Sequence, residues 1–383
     1  MESKLHLDRL YVKNFRALDE LTLEGLGRVN VFVGRNNSGK STILDAIELL
    51  VSANKVDVLR AQSERHDEVG GEISPSDNDF TFIEDFFSGR CLPEAFGKIL
   101  LESSKISVAV SHYFVHEKPI EITDDEDETK KIRTVRRLLS EQPRQDNAND
   151  ENIYRAIALT VNGKRTILAD NDDNHNQYMA VRRLSNSFEH SLGLTVRYVT
   201  TKTLLNSYLD NLWGATVQFD SEMNEILVSA LQLVDSNVEV FGFMQLPALV
   251  ERKPFIKLKG ISKPVPLNSM GDGMSRVLHI ILSLLNAKDG ILLIDEMENG
   301  LHYRIQESLW RIIFEFSTKL NIQVFVTTHS WDVIESFSKI AVEHPEEGVL
   351  YSLGRSCIDE KLNAHRYSEE RLYQVTQSEM EVR

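Results

Sequence analysis

Gly34-Arg35-Asn36-Asn37-Ser38-Gly39-Lys40-Ser41 is the stretch on which the reading of this chain turns. Its spacing is GxxxxGK[ST], the pattern of a phosphate-binding loop. Before it, residues 28–33 (Arg-Val-Asn-Val-Phe-Val) read as a strand, and after it Ile43, Ala46, Ile47 and Leu50 recur at helical spacing. The motif therefore sits in the strand, loop and helix context that its chemistry requires.

That chemistry explains the residue types. Gly34 and Gly39 allow the backbone to turn its N–H groups around a phosphate, and the free amides of the following helix favour negative charge. Lys40 brings a mobile cation toward the outer phosphates, and the Ser41 hydroxyl suits Mg²⁺, which prefers oxygen ligands. Arg35, Asn36, Asn37, Ser38 and Thr42 complete the cradle that would hold a nucleotide.

The chain has 383 residues, enough for two or three domains, and 42% hydrophobic with 26% charged residues is ordinary for a folded globular protein. A formal net charge of −15 repels phosphate backbones, so any nucleic-acid contact must come from a local basic patch. Cys91 and Cys357 make neither a disulfide framework nor a metal-ligand pattern. The start, Met1-Glu2-Ser3-Lys4, has no apolar signal core, and no apolar run approaches the ~20 residues that span a bilayer. The expectation is a cytoplasmic protein with no membrane partner.

In chain order, residues 10–15 alternate as a strand, Leu21 and Leu23 mark a second, and residues 29–33 lead into the loop. Ile106, Val108 and Val110 alternate as another strand. Asp124-Asp125-Glu126-Asp127-Glu128, followed by Lys130, Lys131, Arg133, Arg136 and Arg137, reads as a solvated loop and helix on an inserted domain, with a partner or nucleic-acid contact as the alternative. Asn162-Gly163 between two alternating runs signals a two-residue hairpin turn. Leu205, Tyr208, Leu209 and Leu212 imply one helix, Leu227, Ala230, Leu231 and Val234 a second, and residues 255–258 a strand.

Further along, Gly290-Ile291-Leu292-Leu293-Ile294-Asp295-Glu296 is a continuous apolar run ending in two carboxylates, as expected of a central parallel strand. Its tip belongs beside the phosphate loop, at the carboxyl ends of the strands. Asp295 is expected to hold Mg²⁺, directly or through water, and Glu296 to act as general base on a water. Most of the chain separates Lys40 from Asp295. A large insertion is therefore expected, with an ATPase head formed by residues 1–75 and 240–383 and an arm of strands and helices over 76–239.

Five motifs occur in the order seen in ABC-type ATPases of the SMC/RecF/OLD group. They are Asn14-Phe15-Arg16, the loop 34–42, Asn268-Ser269-Met270-Gly271-Asp272-Gly273, Ile294-Asp295-Glu296-Met297-Glu298-Asn299-Gly300-Leu301-His302, and Thr327-Thr328-His329-Ser330. Among these the chain most resembles stand-alone ATPases related to the OLD nucleases. The resemblance implies an α/β head of ABC/SMC type that uses ATP and Mg²⁺. It assigns Ser269, Gly271, Asp272 and Gly273 to the segment that touches ATP on the opposite protomer, although the usual Leu-Ser-Gly-Gly form is absent. It makes His329 the switch residue that senses the γ-phosphate, and the 298–302 segment a crossing of the dimer seam, with His302 open between packing and cross-protomer contact. Gln62 is a candidate for the glutamine that completes the Mg²⁺ shell in many relatives, without support from its surroundings.

The resulting expectation is a homodimeric or higher-order ATP-hydrolysing switch that controls a separately encoded effector, such as a nuclease or toxin in bacterial anti-phage defence. The alternative is a RecF/SMC-like ATPase of DNA maintenance, with residues 130–137 and Arg182-Arg183 on phosphates. A transporter ATPase subunit fits the long insertion poorly.

Overall fold

The computed structural model describes residues 5–52, 55–68, 81–91, 97–123, 130–139, 153–167, 192–202, 205–245, 251–356 and 362–377. In chain order the strands are β1 (Arg9–Phe15), β2 (Leu18–Glu24), β3 (Val29–Gly34), β4 (Lys98–Glu102), β5 (Ser107–Thr123), β6 (Lys130–Leu139), β7 (Ile153–Val161), β8 (Lys164–Ile167), β9 (Val196–Val199), β10 (Val238–Met244), β11 (Lys253–Leu258), β12 (Val265–Pro266), β13 (Ile291–Ile294), β14 (Gln323–Thr328), β15 (Gly348–Arg355) and β16 (Leu362–Ser368). The helices are α1 (Lys40–Val51), α2 (Lys55–Arg65), α3 (Asn206–Thr216), α4 (Ser221–Leu231), α5 (Asp272–Leu285), α6 (Tyr303–Lys319), α7 (Trp331–Ala341) and α8 (Glu369–Gln377).

These elements divide into two compact units. The first contains Met1–Arg9, Leu23–Leu44 and Leu194–Arg383; the second contains Leu10–Thr22 and Asp45–Gly193. The first unit is built on a sheet of order β16-β15-β3-β14-β13-β9, in which β15, β3, β14, β13 and β9 run parallel and β16 is an antiparallel edge. Every residue of β3, β13 and β14 is buried, which is why none alternates: β13 is wholly apolar, and the polar Asn30 of β3 and Gln323 of β14 are satisfied by buried carbonyls. On one face Phe32 lies between Phe325, 6.3 Å away, and Tyr351, 5.6 Å away. This α/β arrangement puts the loop strand β3 and the carboxylate strand β13 on either side of β14, so the carboxyl ends of all three meet at one edge.

The helices of this unit bury strongly apolar faces. Trp310 of α6 meets Phe337 of α7 edge to face at 5.1 Å, and Phe314 stacks on the same ring. A separate antiparallel sheet, β10-β11-β12, packs Phe241, Phe243 and Ile256 into a core shared with α3, α4 and α5. β9 comes from the stretch expected to belong to the insertion, yet it pairs with β13 from Val196↔Ile291 to Val199↔Ile294.

The second unit is a sheet of order β2-β1-β4-β5-β7-β8, with β6 paired to β5. At the β7–β8 turn, Asn162 and Gly163 both have positive φ, 47° and 82°, as a type I′ hairpin demands. The basic run is a correction to the sequence reading. Lys130–Leu139 is a strand, not a helix, antiparallel to β5 from Lys130↔Thr123 to Leu139↔Phe114. The β-branched Ile132, Thr134 and Val135 and a seventeen-residue partner strand outweigh the solubility that the charges supply. The acidic block 124–128, Arg182-Arg183 and Cys357 lie outside the described residues. Among the described residues no helix is long and apolar enough to cross a membrane.

Candidate nucleotide site

The loop that follows β3 needs its glycines for space as well as for conformation. A Cβ on Gly34 would sit 2.7 Å from the Leu353 carbonyl oxygen and 2.8 Å from Ser38 Oγ, so any other residue would displace β15 or the loop itself. Asn37 and Gly39 take positive φ, 63° and 84°, which curls residues 34–39 back on themselves before α1 begins. Arg35, Asn36 and Asn37 are exposed, whereas Ser38 is buried and its Oγ has no hydrogen-bond partner among the described residues. The first turn of α1 carries no acidic residue, leaving its amides and dipole available to an anion.

Lys40 is only 8% exposed, and its Nζ donates to the Gly34 and Arg35 carbonyls, both at 2.9 Å. Burial lowers its pKa, while the carboxylates of Glu298, Asp295 and Glu296 act to raise it. The lysine thus holds the loop closed on itself with a charge that faces three acids.

Ser41, one residue on, reaches the second half of the site. Its Oγ donates to Asp295 Oδ1 at 2.9 Å, across a sequence gap of 254 residues. Thr327 Oγ1, at the end of β14, donates to the same oxygen at 2.6 Å and accepts from the Glu296 amide at 2.8 Å. The chain turns sharply here, with Glu296 at φ 48°, and the Met297 amide is tied to the Thr327 carbonyl at 3.0 Å. The Glu296 carboxylate itself makes no hydrogen bond among the described residues. Its neighbours hold Glu296 in the left-handed region, and among the described residues its carboxylate is spent on no helix cap.

Arg276 holds this turn from beneath. It lies on α5, one turn past Gly273, and donates to the carbonyls of Asp295 (2.6 Å), Glu296 (2.9 Å) and Thr200 (2.6 Å). Burial lowers its pKa, against the raising effect of Asp295, Glu298 and Glu296. The segment containing Ser269, Gly271, Asp272 and Gly273 forms a short 3-10 turn followed by the start of α5, with Gly271 at φ 85°. Ser269, Gly271 and Asp272 are exposed, and a Cβ on Gly273 would lie 3.0 Å from the Gly300 carbonyl. No hydrogen bond among the described residues joins this segment to the phosphate loop of its own chain. Its link to the carboxylates runs through Arg276.

His329 follows β14. Its Nδ1 lies 2.7 Å from Glu298 Oε1, which also accepts from the His329 amide at 2.8 Å, while Glu298 Oε2 accepts from Thr328 Oγ1 at 2.7 Å. With its proton on Nδ1 facing the carboxylate, the ring presents Nε2 as an acceptor when neutral and as a donor when charged. His302 serves its own protomer as the cap of α6, accepting from the Arg304 amide at 3.3 Å and lying 4.4 Å from the Tyr303 ring.

Three participants were not picked out from the sequence. Thr327 is visible only as half of a Thr-Thr pair, Glu298 only as the start of the segment that the resemblance assigns to the dimer seam, and Arg276 has no signal beyond its place after a glycine-rich turn. Two other candidates are committed elsewhere. In the second unit, Gln62 is fully buried and donates to the Asp45 carbonyl and to Glu48 Oε2. Arg16 pairs with Glu68 through both terminal nitrogens and lies 4.2 Å over the Phe86 ring.

Comparison with known proteins agrees with this geometry. A profile described as an AAA ATPase domain matches residues 6–192, and another, described as an AAA domain, putative AbiEii toxin, Type IV TA system, matches residues 217–335. The chain is 22% identical over 396 residues to a Helicobacter pylori protein named ATP/GTP phosphatase, covering 94% of this chain and 98% of that one. It is 42% identical over 50 residues to the DNA replication and repair protein RecF of Halothermothrix orenii, 13% of each chain. Among solved structures, an Smc head bound to the C-winged helix domain of ScpA overlaps with a TM-score of 0.48 at 12% identity, over 96% of this chain and 99% of that one. The SMC head domain from Thermotoga maritima gives 0.43 at 14% identity, over 95% and 100%. Strand order, rather than these overlays, carries the fold. The parallel sheet, the phosphate loop and the two profiles agree on an α/β fold of P-loop type, with likeness to AAA ATPase domains over residues 6–192 and 217–335.

Proposed function

We propose that the chain hydrolyses ATP as a dimeric switch and controls a separately encoded effector. The observation that carries this reading is the Ser41–Asp295–Thr327 contact, which joins the phosphate loop to the carboxylate turn and leaves Glu296 unspent beside it. The donor set fits Mg²⁺: one hydroxyl and one carboxylate oxygen lie 2.9 Å apart, phosphate oxygens would supply further ligands, and in the same loop the Ser38 hydroxyl is buried without a partner among the described residues. Bound there, Mg²⁺ would neutralise phosphate charge as it builds on the leaving group.

In this reading the loop amides and Lys40 bind the phosphates, and Glu296 takes the proton of the attacking water. His329, oriented by Glu298, responds to the γ-phosphate. Ser269, Gly271, Asp272 and Gly273 meet the nucleotide of the partner protomer, so ATP stabilises the dimer by mass action and hydrolysis removes that support. The expected head and arm organisation supplies two parts that such a cycle could move against an effector.

A toxin is the effector class favoured by the profile matching residues 217–335, described as a putative AbiEii toxin of a Type IV TA system, while a nuclease in anti-phage defence rests on the family resemblance alone. A DNA-maintenance role has the short RecF likeness and the basic residues of β6 in its favour. Salt-sensitive, ATP-stimulated binding to duplex DNA would support that second reading. The first is tested with Glu296→Gln. This variant is expected to bind ATP and form a dimer on light scattering while turning over at least about 100-fold more slowly. Turnover equal to wild type would refute the assignment.

A further inference from the structure

A cavity of about 530 Å³ opens within the first unit, between the end of β9, helix α3 and the first two turns of α5. This volume lies within the range of small-molecule sites. Its rim adjoins the surface that would face a partner's phosphates, since Gly271 and Asp272 line it, but its floor reaches His279, seven residues and about 10 Å along α5 from Asp272.

His279 is the strongest sign of an occupant. It is 5% exposed, it lines the cavity, and its Nε2 is buried with no hydrogen-bond partner among the described residues. Buried polar atoms are nearly always paired, so an unpaired one on a residue that lines a roomy cavity points to a missing partner, which a small turn of the ring would admit. Burial, with Arg276 beside it, pushes its pKa down to about 3, so the ring faces the cavity uncharged.

The rest of the lining defines that partner. Asn206, Asn268 and Asn299 each offer an amide donor and acceptor, while Leu209 and Leu267 supply apolar wall. Lys202 and Asp272 at the exposed rim carry opposite charges that cancel, and Arg276 has spent its terminal nitrogens on three carbonyls. Such a lining favours a flat, uncharged ring with donors and acceptors along its edge. Phosphate esters would bring negative charge to a site with none to spare for it.

We infer that this cavity binds an uncharged nucleobase or nucleoside, and that the ATPase site reads its occupancy through Arg276. Arg276 lines the cavity and holds the carbonyls of Asp295 and Glu296, so an occupant that shifts its guanidinium shifts the carboxylate turn. The regulatory half of this inference rests on the proposed ATPase reading; the binding half does not. Coupling of this kind is reciprocal, so ATP must change nucleoside affinity by the factor by which the nucleoside changes ATP affinity.

The test is calorimetric titration of the full chain with adenosine, guanosine, cytidine and uridine and with their 5′-monophosphates. It is run in a Lys40→Ala background, so that the phosphate loop does not contribute. At least one nucleoside is expected to bind saturably, more tightly than its monophosphate, and to lose tenfold or more in affinity in His279→Leu. Asn206→Ala, at a partly exposed position, should weaken the same nucleoside severalfold and covers the case in which the His279 variant misfolds. With Lys40 intact, that nucleoside should change the ATP hydrolysis rate severalfold, and His279→Leu should abolish the change. Absence of saturable nucleoside binding, where the same chain with Lys40 intact binds ATP normally, would overturn the inference. So would a preference for monophosphates, or full affinity retained in either variant. Failure to bind ATP would sink the ATPase reading alone, because nucleoside binding is scored without the loop.

Discussion

Helix α1 serves two clusters of acids that are wired in opposite ways. At its first turn Ser41 meets Asp295, and the acids of that group, Asp295 and Glu298, are bonded by hydroxyls, a backbone amide and one imidazole, while Glu296 is left open. Within the second unit, Asp45 on the same helix is 0% exposed and receives Arg65 and His66, both at 2.7 Å, with Arg16 at 3.9 Å. Glu48 is held by Arg65 and Gln62, and Glu68 by Arg16 and Arg90. Guanidinium groups cancel the charge of the Asp45 cluster and fill its lone pairs. The Asp295 cluster keeps both charge and acceptor capacity for a cation and a water. Burial and acid count alone would not tell them apart; the identity of the donors does.

The comparison can be broken by substitution. The largest effect is expected from Glu296→Gln, a loss of about 100- to 10,000-fold in turnover with ATP affinity and melting temperature near those of wild type. Asp45→Ala should behave in the reverse way. It removes the carboxylate shared by Arg65, His66 and Arg16, leaving Arg65 to Glu48 and Arg16 to Glu68 alone, which costs up to roughly 3–5 kcal/mol in denaturant unfolding, while turnover per folded molecule is preserved. An Asp45 variant that unfolds normally but cannot hydrolyse ATP would erase the distinction. Glu298→Ala should be milder, lowering turnover about tenfold at unchanged ATP affinity because His329 loses its orienting partner. Glu298→Gln, which retains an acceptor for Nδ1, should recover part of that loss in the same assay.

The sequence made one cluster visible and hid the other. The phosphate loop and the apolar strand ending in Asp295-Glu296 are local patterns, because backbone curvature and a buried parallel strand each leave a mark on consecutive residues. Thr327 acts across 32 positions and Arg276 across 19 to 76, each through isolated hydrogen bonds, and no periodicity records that. The Asp45 network is equally silent, since its members come from the turn after β1, from α1, from α2 and the turn that follows it, and, in Arg90, from a stretch further along the chain. Gln62 shows the hazard of nearness in sequence, since a side chain considered for the cation shell is spent on Asp45 and Glu48. The basic strand β6 shows a different limit. A charge run reports solvation, whereas its pairing with β5 is decided by a partner strand elsewhere in the chain.

The central claim is that Ser41 and Asp295 act on one bound Mg²⁺–nucleotide rather than merely touching each other. A double-mutant cycle on the Mg²⁺ dependence of ATP hydrolysis addresses it directly, with Ser41→Ala, Asp295→Asn and the pair together. If both groups serve one ion, each single change raises the Mg²⁺ requirement at least about tenfold, and the double variant is little worse than the more damaging single. Fully additive losses, or a single variant with an unaltered Mg²⁺ requirement, would contradict the account.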